Sequence, residues 1–381
     1  MTTGGTMALV QGTTTDKFEG LRDQLEKSIA SGDDVGASVA VFHQGELVCD
    51  VWGGFADEAR TRPWERDTLV NVWSTTKTMT FLVALMLFDR GELDFNERVS
   101  TYWPEFAANG KAGIEVRHLM NHTAGLSGWS DAITSEDLAN WDLCVQDLAA
   151  QAPWWDDRSV SGYHALTQGH LIGEVVRRIT GTTIGQFFKS EVADVLGADF
   201  FIGLPESEEH RVSLVIPPTS PEALPKERDS IGRRTLTSPP LSASVPHHRW
   251  WRAAEIPAAN GHGNARSVAT IQQIISNNGH AQGHRFFSEK TGDKIFDVQV
   301  SGVDQVLDFD VNFGLGYGLA SSSVPLGPRA CYWGGFGGSI IIMDQDINLT
   351  VAYMMNKMQI GLVGDTRGPA IAFIAAIAAM S

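Results

Sequence analysis

Residues 73–88 read WSTTKTMTFLVALMLF. The stretch from Lys77 to Arg90 is apolar on every side of a helical projection, which predicts a buried helix rather than an amphipathic surface one. Gly91 supplies its stop. Ser74 and Lys77 stand three apart, a spacing that places both side chains on one helix face, with Ser74 in the first turn. A helix N-terminus stabilises negative charge, here an alkoxide at Ser74. The same terminus, together with desolvation by the apolar run, disfavours the ammonium of Lys77 and lowers its pKa from about 10.4. A neutral lysine accepts a serine proton. The competing reading is a capping serine beside a solvated lysine, and S-x-x-K arises by chance in many chains. What weighs against it is the apolar context, in which a lysine needs a reason to be present.

Working outward, Phe18, Leu21, Leu25 and Ile29 recur at three or four and predict a helix over residues 16–31. The stretch that follows, "GASVAVFHQGELVCDVWGG", has Val39, Val41, Leu47, Val48 and Val51 around the turn signal His43-Gln44-Gly45 and predicts a hairpin. Leu171, Ile172, Val175, Val176 and Ile179 mark a helix ended by Gly181, and residues 266–278 mark another. Residues 214–250 hold seven of the fifteen prolines and predict a long irregular stretch, a flap over a cleft. The last part alternates glycine and apolar residues in "NFGLGYGLA", "CYWGGFGGSIIIMD" and "NLTVAYMMNKM", which predict antiparallel strands before a terminal helix. Strands thus lie near both ends and helices between them. The expected fold is α+β, one antiparallel sheet built from both chain ends, flanked by helices. Its expected parts are 1–91 and 261–381 for the sheet domain and 92–260 for a mostly helical inserted domain with the Pro-rich flap.

Composition excludes several functions. The chain of 381 residues carries 29 Lys plus Arg against 45 Asp plus Glu, a formal charge of −16, and no basic run, so it lacks the footprint of a nucleic-acid binder. Three cysteines, Cys49, Cys144 and Cys331, with no CxxC pair, argue against a disulfide framework or a zinc motif and fit a reducing compartment. "MTTGGTMALVQGTTTDKF" lacks the basic and apolar regions of a secretion signal. "AIAFIAAIAAM" at 370–380 is too short to span a bilayer. A cytoplasmic protein without a membrane partner is expected. No G-x-S-x-G elbow, H-E-x-x-H, Walker A or G-x-G-x-x-G occurs.

Four further pieces follow "STTK" in order: "LMNHTAGL" at 119–126, "PWWDDRSVSGYHALTQGHLIGEVVRRITG" at 153–181, "NGHGNARS" at 260–267 and "WGGFGGSIIIMD" at 333–344. From about residue 18 to the end the chain resembles the serine hydrolases related to class C β-lactamases and penicillin-binding proteins. Within them it looks most like the family VIII carboxylesterases. The resemblance implies Ser74 as nucleophile, Lys77 as its paired base and Tyr163 as the tyrosine of the second motif. Trp333-Gly334-Gly335 then match the third motif on a sheet edge strand, and the backbone N–H groups of Ser74 and Phe336 form the oxyanion hole. A Lys77 ammonium would lower the pKa of Tyr163 from about 10, and Gly334 and Gly335 would let backbone approach a bound acyl group. Where the β-lactamases carry a lysine that greets a substrate carboxylate, this chain has Trp333; where they carry an asparagine that meets an amide, it has Ala165. Both changes replace polar recognition with apolar surface and point to a small neutral ester as partner, with short acyl chains by resemblance and slow side activity on some cephalosporins; the alternatives are an acyltransferase using the same acyl-enzyme, a β-lactamase or peptidase, and an inactive penicillin-binding-like module that only binds ligand. Trp155 is a candidate wall of the acyl pocket and His262 a candidate lining residue of the cleft. His122 is expected to organise its loop beside Gly125. No metal or cofactor is expected.

Overall fold

The computed structural model describes residues 10–219 and 230–381. Residues 1–9, and 220–229 within the expected flap, lie outside the described residues. Nine antiparallel strands form the main sheet: β1 (Gln11–Thr14), β2 (Gly36–His43), β3 (Glu46–Gly54), β4 (Val300–Val303), β5 (Asp310–Phe313), β6 (Gly318–Leu319), β7 (Ala330–Gly334), β8 (Ile340–Asp344) and β9 (Leu349–Met355). Their order is β1-β3-β2-β9-β8-β7-β6-β5-β4. The chain's two ends join where β2 pairs with β9, Val41 facing Val351 and Val39 facing Tyr353. The β2–β3 hairpin turns at Gln44-Gly45, both with positive φ, as the two-residue turn demands.

Helices α1 (Glu19–Ser31), α2 (Lys77–Asp89), α3 (Thr167–Thr180), α4 (Ala265–Ser276) and α5 (Arg367–Met380) are the long ones. The first and last pack on each other and on the sheet, while α4 covers β2, β8 and β9. Successive residues of β2 and β9 are therefore buried on both faces, which is why these strands read as continuous apolar runs rather than alternating ones. Helix α2 is buried from Lys77 to Leu87 and packs against α3. Its apolar circumference is satisfied by neighbours on all sides, as its sequence requires. Glycines in the left-handed region close α1 at Gly32 and α3 at Gly181.

Between residues 92 and 260 the described chain is mostly short helices and loops. The composition did not reveal a second, three-stranded sheet of residues 69–71, 212–213 and 262–263. It ties this middle stretch to the segment that leads into α2. The third-motif strand also differs from expectation. β7 lies inside the sheet, between β8 and β6. Because β6 pairs only with Cys331 and Tyr332, however, Trp333 and Gly334 run past its end, and that edge is open only locally.

Candidate active site

Ser74 lies in a single 3₁₀ turn, Trp73–Thr76, which runs straight into α2 at Lys77. The expected first α-helical turn is thus a tighter one. Trp73, just before Ser74, has φ of 48°, a left-handed conformation that costs a bulky residue energy. Its ring packs on Trp251 and Phe336, at centroid distances of 5.7 and 5.3 Å, and these contacts hold the turn. Ser74 remains 8% exposed and opens on a cavity of about 560 Å³.

Lys77 is fully buried. Its Nζ lies 3.2 Å from Ser74 Oγ, 2.7 Å from the carbonyl oxygen of Ala165 and 2.9 Å from that of Ala258. Among the described residues it has no ion-pair partner. Burial without a counter-ion pushes its pKa well below the ordinary 10.5. A neutral amine has two N–H groups and one lone pair. In that form the Ala165 and Ala258 carbonyls would take the two N–H groups and leave the lone pair for the Ser74 hydroxyl.

Tyr163 is also fully buried, and its ring sits 4.7 Å from Lys77 Nζ. Among the described residues its phenol oxygen completes no hydrogen bond, although the Ser74 hydroxyl and the Trp333 indole N–H approach it. Burial raises the phenol pKa more than these two neighbours lower it. The shift runs opposite to the lowering expected from a Lys77 ammonium. An apolar surround disfavours the phenolate and the ammonium alike.

The loop that presents Tyr163 interlocks with the "NHTAGL" loop. Tyr163 N–H donates to Asp304 Oδ1 at 3.0 Å, and the same oxygen accepts from Val306 and Leu307. The N–H of His164 donates to His122 Nδ1, that of Gly162 to the His122 carbonyl, and that of Leu126 to His164 Nε2, each at 3.0 Å. The His122 ring packs edge-on to Tyr163 at 4.9 Å. His122 does organise a loop, but the loop is Tyr163's. Burial keeps both imidazoles neutral, with His164 lowered to about 3.

The third motif meets Ser74 through backbone. In the turn after β7, the N–H of Gly335 donates to Ser339 O, that of Gly337 to Gly361 O and that of Gly338 to Gly335 O. The N–H of Phe336 has no partner among the described residues, and neither has that of Ser74. Gly335 O also accepts from Gly364 N–H at 3.0 Å. Two donors thus pin the carbonyl of the 335–336 peptide, and its N–H is aimed the opposite way. The Phe336 side chain lines the cleft together with Ser74 and Tyr163.

The five expected substrate contacts fall elsewhere. Trp333 does not line the cleft; it stands behind Tyr163, with ring centroids 5.3 Å apart, and against Phe313 and His122. Gly334 and Gly335 admit backbone rather than an acyl group: a Cβ at Gly334 would crowd Val363 and Gly364, and one at Gly335 would lie 2.3 Å from Val72 O. His262 is buried in its short strand opposite Asn71, near the Asn260 carbonyl, and burial lowers its pKa to about 3. Trp155 donates its indole N–H to Val160 O and presses on Gly162, bracing the Tyr163 loop from outside the cleft.

The cleft walls come instead from Leu166, Leu362 and the Pro-rich stretch, with Pro217, Pro239, Pro240 and Leu241 prominent. Apart from Tyr163, no described lining residue is ionisable. Sequence reasoning singled out the Pro-rich stretch as a flap but not its individual residues. Asp304, Thr75 and Ser339 were missed, and a single serine, threonine or aspartate in a loop gives no signal of its own. Among the described residues, no His, Cys, Asp or Glu cluster could hold a metal ion, and no helix is long and apolar enough to cross a membrane.

Comparison with known proteins agrees with this architecture. A family named Beta-lactamase matches residues 21–376. The Esterase/beta-lactamase LipL of Mycobacterium tuberculosis is 37% identical over 345 residues, which cover 86% of this chain and 78% of that protein. The solved structure of a family VIII carboxylesterase superposes with a TM-score of 0.91 at 38% identity, covering 97% of this chain and 99% of that one. A penicillin-binding protein homologue from Caulobacter crescentus superposes with a TM-score of 0.90 at 32% identity, over 97% and 99% of the two chains. With a match over nearly its whole length and the fold that goes with it, this chain belongs to the Beta-lactamase family and so to the serine hydrolases.

Proposed function

We propose that the protein is a carboxylesterase that hydrolyses uncharged esters through an acyl-enzyme on Ser74. The observation that carries this reading is the buried Lys77 amine, held by the Ala165 and Ala258 carbonyls with its Nζ 3.2 Å from Ser74 Oγ. Lys77 takes the Ser74 proton as Oγ attacks the ester carbonyl carbon. The oxyanion that forms is held by the N–H groups of Ser74 and Phe336. Tyr163 donates its phenol proton to the departing alcohol oxygen and recovers one from the Lys77 ammonium. Water then attacks the acyl carbon, gives up its proton to the same pair, and releases the acid and the Ser74 hydroxyl.

The class of substrate follows from the walls. A β-lactam or cell-wall peptide carries a carboxylate, and no lining residue among those described offers it a cation. An uncharged ester loses nothing there. A cavity of about 560 Å³ also holds more than an acetyl group, so the cleft itself does not restrict the acyl chain to short ones. The esterases among its relatives support the same reading.

The test compares kcat/KM for an uncharged nitrophenyl ester with that for a chromogenic cephalosporin. The missing charge-assisted contact is worth roughly 1.5–3 kcal/mol, so the ester is expected to lead by about 10–100-fold or more. Faster turnover of the cephalosporin would overturn the assignment.

A further inference from the structure

The two free N–H groups beside the cleft belong to segments more than 250 residues apart in the chain, and something must set their spacing. Ser339 touches both segments. Its carbonyl accepts from Gly335 N–H at 2.8 Å and closes the turn that presents Phe336. Its hydroxyl lies 2.7 Å from Val72 O and 3.0 Å from Thr75 Oγ1, on either side of Ser74. A serine hydroxyl has one proton. Ser339 spends it on Val72 O, a carbonyl that can only accept, so Thr75 Oγ1 must donate to Ser339 Oγ. The chain Thr75 to Ser339 to Val72 is therefore directional. It is buried, Ser339 being 2% and Thr75 0% exposed, so water does not compete for it. No side chain intervenes, because Gly335 has no Cβ where Val72 O and Ser339 Oγ both stand 2.3 Å away.

We propose that Thr75 and Ser339 are positioning residues for the oxyanion site, a hydroxyl brace that fixes the distance between the N–H groups of Ser74 and Phe336. The inference rests on the reading of these two groups as the oxyanion donors. Neither hydroxyl touches the substrate. Each acts by holding a turn in register with the other, and a donor displaced by about an ångström costs up to 10²-fold in rate.

The experiment measures kcat and KM of wild type, Ser339→Ala, Thr75→Val and Thr75→Ser on p-nitrophenyl acetate and on its thionoester, in which sulfur replaces the carbonyl oxygen. A site built for an oxyanion favours the oxoester, because sulfur is larger and a poorer hydrogen-bond acceptor. Loosening the brace is expected to lower kcat for the oxoester about tenfold, with KM little changed, and to affect the thionoester much less. The oxo-to-thiono ratio therefore falls in Ser339→Ala and Thr75→Val and returns in Thr75→Ser, which keeps the donor. An unchanged ratio, whether both rates fall together or neither does, overturns the brace while leaving the donors in place. A wild type with no preference for the oxoester overturns the donors themselves, and the brace with them. Should Ser339→Ala fail to fold, Thr75→Val decides by the same ratio.

Discussion

Lys77→Met is expected to lower kcat for ester hydrolysis by about 10⁴-fold, at the upper end of what a positioned base contributes. Methionine keeps the apolar stem that packs in α2 and removes only the amine. The Ala165 and Ala258 carbonyls lose their donor, at about 1–3 kcal/mol each, and relief of the buried amine's desolvation offsets part of that cost. The variant should therefore stay folded, which separates chemistry from stability. In the wild type the acid limb of kcat/KM against pH reports the same group. Burial lowers the Lys77 pKa, so activity rises with pH through that lowered value and not through the ordinary 10.5. The folded state binds fewer protons than the unfolded one between those two values, so this group makes stability rise with pH across that window. The variant should lose that slope. An acid limb centred near 10.5, or a variant within tenfold of wild type, would remove Lys77 from the mechanism.

Tyr163→Phe should lower kcat by about 10²–10³-fold and leave Tm unchanged or higher. The two halves of that expectation come from one observation. The phenol oxygen is buried and completes no hydrogen bond among the described residues, so its removal costs the fold nothing and relieves an unsatisfied polar group. The ring, which His122 and Trp333 pack against, is preserved. What is lost is the proton for the departing alcohol. That makes a further distinction available. Esters of good leaving groups such as nitrophenol need little protonation and should suffer less than alkyl esters. An equal loss on both, or a drop in Tm with no loss of rate, would make Tyr163 a packing residue only.

Much of this was legible in the sequence because it rests on local pattern. The apolar circumference of α2, the turn at Gln44-Gly45 and the stop at Gly181 each depend on residues close in the chain. One sheet shared by both chain ends followed from strands lying near both, though not which two strands meet. What was illegible depends on which face of an element meets which neighbour. Trp333 occupies the third-motif position, yet alternation along β7 does not reveal that its ring faces Tyr163 rather than substrate. His262 between two glycines looks accessible, but a strand of two residues buries it. The electrostatics of Tyr163 were misjudged for a related reason: a neighbouring lysine lowers a phenol pKa only while that lysine is charged, and burial disfavours that charge while it raises the phenol directly. Ser339 and Thr75 become visible only when residues 72–75 and 335–339 are seen side by side.

Every step of the proposed reaction requires Ser74 Oγ to be the atom that Lys77 activates. The direct measurement is the intact mass of the protein after reaction with a small phosphonate ester, followed by peptide mapping, in wild type and in Ser74→Ala. One adduct, on the peptide that holds Ser74 and absent from the variant, is the expected result. A wild type that labels elsewhere, or a variant that labels as fast as wild type, would contradict it.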